Sequence, residues 1–312
     1  MVKCKKSKVV NTANLCRFYR FCMFCKRYTS ERCMTMKEKS EARGAVVATF
    51  CNQKGGQGKT SAVTAFAWGL ARKGRRVLAI DFDAQATLTS NLAGDGWEGD
   101  AIDSWVIDGN DVRVRISDLI DLVPASLDGV VHLEQHMARN YVSVALFLTK
   151  ALKAAGYTDD YDYILIDTSS NVNLPLTNAL AASNAVVIPA EPRHEGMVGF
   201  EKVWDVVEAV AEMRTGREGA SPSDAFDSLG LFVHAFKEQP RGHRDMLGEI
   251  ALAAEGRGCS VYRSLIHENE PMADALGQHI DPFTRRNRIR AVREYESLID
   301  EFEASTNGGE DE

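Results

Sequence analysis

The sequence predicts an α/β fold: a single doubly wound, mostly parallel sheet with helices on both faces. Three observations lead there. Apolar runs of strand length alternate with stretches of helical periodicity across residues 44–304, the order from which parallel sheets are built. The first run is joined to a helix by a glycine-rich loop, Cys51-Asn52-Gln53-Lys54-Gly55-Gly56-Gln57-Gly58-Lys59-Thr60-Ser61. Two later runs end in aspartate, at Asp81 and Asp83 and at Asp167, and an open parallel sheet binds its ligands outside the carboxyl ends of its strands.

Taken in order, Ala45–Phe50 reads as a short buried strand and Ser61–Arg72 as a helix ending near Gly74. Between them, Gly55, Gly56 and Gly58 carry no Cβ, so the backbone can curl with its N–H groups facing inward around an anion. A triphosphate fits such a nest. Lys59 is placed to meet the β- and γ-phosphates. The Thr60 hydroxyl, at the positive end of the helix, is placed to ligate Mg²⁺. Gln57 and Ser61 complete the run of loop residues expected around the nucleotide.

Arg76–Asp83 is a second apolar strand, and a parallel sheet brings its Asp81 and Asp83 beside the loop. Residues 94–117, with Gly94, Gly96 and Gly99, read as a variable excursion with a short helix and no chemistry. Leu119–Val123 is a strand running into Pro124-Ala125-Ser126, and Val142–Ala155 has apolar residues at helical spacing. In Tyr163-Ile164-Leu165-Ile166-Asp167 a buried strand delivers one carboxylate to a Mg²⁺ shell at low conformational cost. The alternation continues with a helix from Leu174 to Ala182, a strand over Ala185–Pro189 and a helix from about Gly199 to Met213. A polar loop over 215–228, a strand over Leu229–Ala235, a helix from about Gly242 and a strand over Val261–Ile266 follow. The last helix, Arg288–Ala304, carries an apolar stripe of Ile289, Val292, Tyr295, Leu298, Ile299 and Phe302 that reads as core packing.

Composition bounds the function. Apolar residues make up 45% of the chain and charged residues 26%, as in globular proteins, and no apolar run approaches the ~18 residues of a membrane span. Residues 1–40 hold eleven Lys/Arg and two Asp/Glu, a net of +9 against −7 for the whole chain, so the rest carries −16. An acidic body cannot attract DNA uniformly, and any DNA contact must come from a local basic patch. Arg285, Arg286, Arg288 and Arg290 form such a patch, with Arg241 and Arg244 as additions. Five of seven cysteines, Cys4, Cys16, Cys22, Cys25 and Cys33, lie in the first 33 residues. Cys16, Cys22, Cys25 and Cys33 are one candidate zinc set, but only one close C-x-x-C pair is present. The favoured expectation is that 1–43 is a basic extension, disordered or preceding a natural start at Met34 or Met36.

The loop word Lys54–Thr60, K-G-G-x-G-K-T, has Gln53 where the ordinary phosphate loop has its first glycine, and adds Lys54. It resembles the deviant Walker motif of the ParA/MinD family of ATPases. Asp81-Phe82-Asp83-Ala84-Gln85 is similar to that family's D-x-D-P-Q segment, with alanine for proline, and Asp167-Thr168-Ser169-Ser170 to its D-T-P-P, with serines for both prolines. The resemblance covers 44–304, leaving 305–312 as an acidic tail. It implies a cytoplasmic ParA-like partition ATPase that uses ATP and Mg²⁺, dimerises on ATP, binds DNA non-specifically, associates with the nucleoid and is stimulated by a ParB-like protein. Lys54 then reaches the partner's nucleotide, Lys59 and Asp83 serve catalysis, and Thr60, Asp81 and Asp167 surround the metal. Glu268 and Asn269 fall at the family's adenine-side turn. A MinD-like membrane-cycling ATPase and a non-partition DNA-binding regulator of the same fold are the alternatives. The first would require a basic amphipathic C-terminus, whereas this chain ends in Gly308-Gly309-Glu310-Asp311-Glu312.

Overall fold

The computed structural model describes residues 44–139, 146–237, 242–268, 281–283 and 290–307, all within one unit, 41–312. The expectations for 1–43 lie outside these residues. The strands are β1 (Val46–Phe50), β2 (Val77–Phe82), β3 (Val114–Ser117), β4 (Ile120–Val123), β5 (Tyr163–Thr168), β6 (Ala185–Ala190), β7 (Ser228–Phe236) and β8 (Ser260–His267). They form one sheet in the order β3-β4-β2-β5-β1-β6-β7-β8. Every pairing is parallel except β3 with β4.

The described helices are α1 (Lys59–Arg72), α2 (Thr87–Ala93), α3 (Ile102–Asp108), α4 (Leu127–Arg139), α5 (Phe147–Ala154), α6 (Tyr157–Asp160), α7 (Leu174–Ala182), α8 (His194–Thr215), α9 (Gly242–Glu255) and α10 (Arg290–Thr306). Strand side chains alternate between two faces, and both faces are buried. Ala48 and Phe50, Val77 and Ala79, Tyr163 and Leu165 pack with α1 and α10, whereas Val47, Leu78, Ile80, Ile164 and Ile166 pack with α3 to α6. Val186, Ile188, Leu231 and Val233 meet Phe200, Trp204 and Val207 of α8. This explains why the central strands read as unbroken apolar runs. Each large side chain so buried contributes about 1.5–3 kcal/mol. An edge-to-face ladder, Phe50 to Phe66 at 5.1 Å and Phe66 to Phe302 at 5.3 Å, joins β1, α1 and α10. The Tyr295, Leu298, Ile299 and Phe302 stripe of α10 is buried there.

The structure departs from the sequence reading in several places, the short helices α2 and α6 among them. Residues 94–117 hold the antiparallel edge strand β3, whose Arg115 pairs with Asp121 of β4 at 2.6 Å. Helix α4 was not foreseen, although its Val130, Leu133 and Met137 lie on one buried stripe. Helix α8 begins at His194 rather than Gly199. Gly196 and Gly199 are not helix breaks but points of close approach, a Cβ at Gly196 falling 2.1 Å from the Glu191 carbonyl oxygen.

Candidate nucleotide-binding site

The loop from Cys51 to Gly58 leaves the carboxyl end of β1, near the sheet centre, and enters α1. Gly56 and Gly58 have φ of 78° and 75°, a left-handed conformation that glycine adopts without steric cost. The loop is pinned from outside its own sequence. The Asn52 side-chain amide donates to the Pro189 carbonyl at 2.7 Å, and its oxygen accepts from the Lys54 backbone N–H at 3.0 Å. The Glu191 N–H donates to Gln57 Oε1 at 2.8 Å. Both anchors come from the end of β6, so the neighbouring strand sets the curl of the loop.

Lys59 is 6% exposed, and its Nζ donates to Ser170 Oγ at 2.8 Å. Burial pushes its pKa below the ordinary lysine value, while Asp167 and Asp83 pull it back up. Lys54, by contrast, is exposed with Gly55 and Gly56, so the two lysines of the word occupy opposite environments.

Asp167 stands in register with Phe50 of β1 and Asp81 of β2. It is fully buried, and among the described residues neither carboxylate oxygen makes a hydrogen bond of good geometry, the Thr60 hydroxyl lying nearby. Burial and the Asp81 charge raise its pKa well above the carboxylate range, opposed by the Thr60 hydroxyl and the Lys59 charge. A buried carboxylate left unsatisfied is costly, and a hard cation beside Thr60 would satisfy it. Among the described residues, no three His, Cys, Asp or Glu side chains form a metal cluster. The donor set fits Mg²⁺, which takes one or two carboxylates and completes its octahedron with phosphate oxygens and water.

Asp81 is equally buried but differently used. Its carboxylate accepts from the Thr89 N–H at 2.8 Å, the Thr89 hydroxyl at 2.7 Å and the Asp83 N–H at 3.1 Å. Thr89 Oγ1 in turn accepts from the Ala125 N–H at 2.9 Å. Three protein donors already serve Asp81, so it holds the Asp83 backbone and β4 in place behind Asp167. Asp83 is half-buried, and its carboxylate accepts only a local bond from the Gln85 N–H at 3.0 Å among the described residues.

The remaining expected residues scatter. Thr60 and Ser61 are half-buried at the start of α1. Glu268 pairs with Lys237 at 2.5 Å, and Asn269 lies outside the described residues. Arg285, Arg286, Arg288 and Arg241 also lie outside them, while Arg244 is exposed on α9. Arg290 donates to Glu294 at 2.7 Å and meets His267 Nε2 at 2.9 Å, so its charge is compensated within the protein.

Sequence reasoning missed His234 of β7. Its ring lies against the loop, a Cβ at Gly58 falling 2.9 Å from His234 Nδ1. Its Nε2 is buried without a partner among the described residues, and burial, helped by the Lys59 charge, lowers its pKa to about 4. A lone histidine near the carboxyl end of an apolar strand was the available signal.

Comparison with known proteins agrees with this geometry. A family model described as an AAA domain matches residues 45–217. The sporulation initiation inhibitor protein Soj of Bacillus subtilis is 33% identical over 276 residues, covering 84% of this chain and 99% of Soj. Two uncharacterised Mycobacterium tuberculosis proteins are 29% identical over 66% of this chain, which spans 63% of their length. An ATP complex of McdA from Cyanothece superposes with a TM-score of 0.68 at 19% identity, covering 85% of this chain and 98% of that one. The chain belongs to the ParA/MinD family of deviant-Walker ATPases.

Proposed function

We propose that this chain is a ParA-like ATPase that binds Mg²⁺·ATP in the 51–61 loop and dimerises on doing so. The observation that carries the reading is a buried Lys59 ammonium at the head of α1, close enough to the buried Asp167 carboxylate at the end of β5 for each charge to act on the other. The loop N–H groups of Gly55 to Lys59 receive the phosphates, Lys59 neutralises them, and Thr60 and Asp167 hold Mg²⁺, which lowers the charge on the leaving group. Asp83 orients the attacking water. Its single local hydrogen bond leaves an oxygen available for that role. Exposed Lys54 serves the partner's nucleotide across the dimer.

The cellular role proposed is plasmid or chromosome partitioning, with slow hydrolysis stimulated by a ParB-like protein and non-specific DNA binding in the cytoplasm. Similarity to the probable plasmid-partitioning protein ParA of Thermus thermophilus and to the chromosome-partitioning ATPase Soj of Treponema pallidum supports it. Arg285, Arg286 and Arg288 are the DNA-contact candidates, with Arg290 contributing less because Glu294 offsets its charge. Membrane cycling is less well supported: the apolar stripe of α10 is engaged with the core, and among the described residues no helix is long and apolar enough to cross a membrane.

Light scattering with ATP and Mg²⁺ tests the dimer switch. Asp83→Ala is expected to bind ATP and dimerise but hydrolyse slowly, whereas Lys54→Ala is expected to bind ATP and form few dimers. A monomeric Asp83→Ala would refute it.

A further inference from the structure

The serine at the end of the β5 turn occupies a place that the simple loop chemistry leaves unassigned. Ser170 Oγ accepts from Lys59 Nζ at 2.8 Å, and Lys59 is the cation expected to meet the outer phosphates. A hydroxyl has one donor and two acceptor sites. Here one acceptor site is used, and among the described residues the Ser170 proton meets no acceptor. A phosphoryl group presents several oxygens, so one can accept from the Lys59 ammonium while a neighbouring one accepts from the Ser170 hydroxyl.

Ser170 also arrives from a separate element. The inner phosphates are enclosed by the loop's own N–H groups, whereas Ser170 follows Asp167 by three residues on a half-buried turn. Its contact with Lys59 places it at the end of the loop where that ammonium lies. The turn is wired onward. The Asn171 N–H and the Asn173 side-chain amide both approach Ser169 Oγ at 3.4 Å, and Asn173 Oδ1 caps α7 by accepting from the Leu176 N–H at 3.1 Å.

We propose that Ser170 recognises the terminal phosphate of ATP and sets a preference for ATP over ADP, an inference that rests on the nucleotide reading above. The hydroxyl accepts from Lys59 and donates to a γ-phosphate oxygen.

The test is titration of the full chain with MgATP and MgADP, comparing wild type, Ser170→Ala and Ser170→Thr. A hydrogen bond to a charged acceptor supports a loss of about tenfold or more. Ser170→Ala is expected to weaken MgATP by about tenfold while changing MgADP by less than about twofold, and Ser170→Thr, which keeps a hydroxyl, to restore the ATP affinity. A merely structural role would move both nucleotides together, and that outcome, or unchanged ATP affinity, overturns the inference while leaving the nucleotide reading intact. Failure of the wild type to bind either nucleotide would overturn both.

Discussion

Replacing Gly199 by alanine separates two effects of opposite sign. On an exposed helix the change would stabilise by about 0.5–1 kcal/mol, because glycine has more backbone freedom to lose. Here the new Cβ would stand 2.2 Å from Asn52 Oδ1 and 3.2 Å from Asn52 Cγ and Lys54 Cβ, when real Cβ contacts under 3.0 Å essentially do not occur. Asn52 has little room to yield, since its amide is held by the Pro189 carbonyl and its oxygen by the Lys54 N–H. Relieving the overlap costs about 1–3 kcal/mol as overpacking, and loosening those hydrogen bonds costs about 1 kcal/mol each. The steric cost therefore wins, by roughly 2 kcal/mol net, a fall in Tm on the order of 5 °C. Thermal unfolding of the nucleotide-free protein reads this directly. In an Asn52→Ala background the same substitution should cost much less, because the two residues share one contact. A Gly199→Ala protein more stable than wild type would refute the proposition that α8 braces the loop through Asn52.

The raised pKa of Asp167 gives a pH prediction. The folded chain keeps this proton at pH values where the unfolded chain has released it, so stability falls as pH rises from about 4 through the raised folded value. Asp167→Asn removes that slope. In Mg²⁺-free buffer at neutral to mildly alkaline pH the variant should be more stable than wild type by about 1 kcal/mol or more, yet gain no stability from MgATP. Paired pH-dependent denaturation curves check both halves, and a variant less stable than wild type contradicts the unsatisfied state of the carboxylate.

The parts of the site that sequence made legible are contiguous ones. Gly55, Gly56, Gly58, Lys59 and Thr60 form one word, and burial on both sheet faces turns β2 and β5 into apolar runs that end at Asp81 and Asp167. Helix α7 was legible end to end because Asn173 caps it and Pro175 follows in its first turn. What stayed hidden depends on contacts between distant residues. The Lys59–Ser170 bond spans 111 positions, and Asn52 reaches Pro189 across 137. In the sequence the serines of the Asp167 turn are only replacements for the family's prolines, and only the fold reveals that one of them meets Lys59. Strand β3 escaped notice because it is four residues long, only partly buried and paired on one side. Arg290 reads in the sequence as part of a basic patch, whereas in the fold Glu294, one helical turn on, holds it.

The central claim is that Lys59, Thr60 and Asp167 form one Mg²⁺·ATP site, and calorimetric titration of MgATP into wild type and Lys59→Ala tests it most directly. Loss of the buried ammonium removes the principal protein cation from the phosphates, so the account predicts saturable binding by wild type that depends on Mg²⁺ and is abolished in Lys59→Ala. Equal affinity in the two proteins would contradict it.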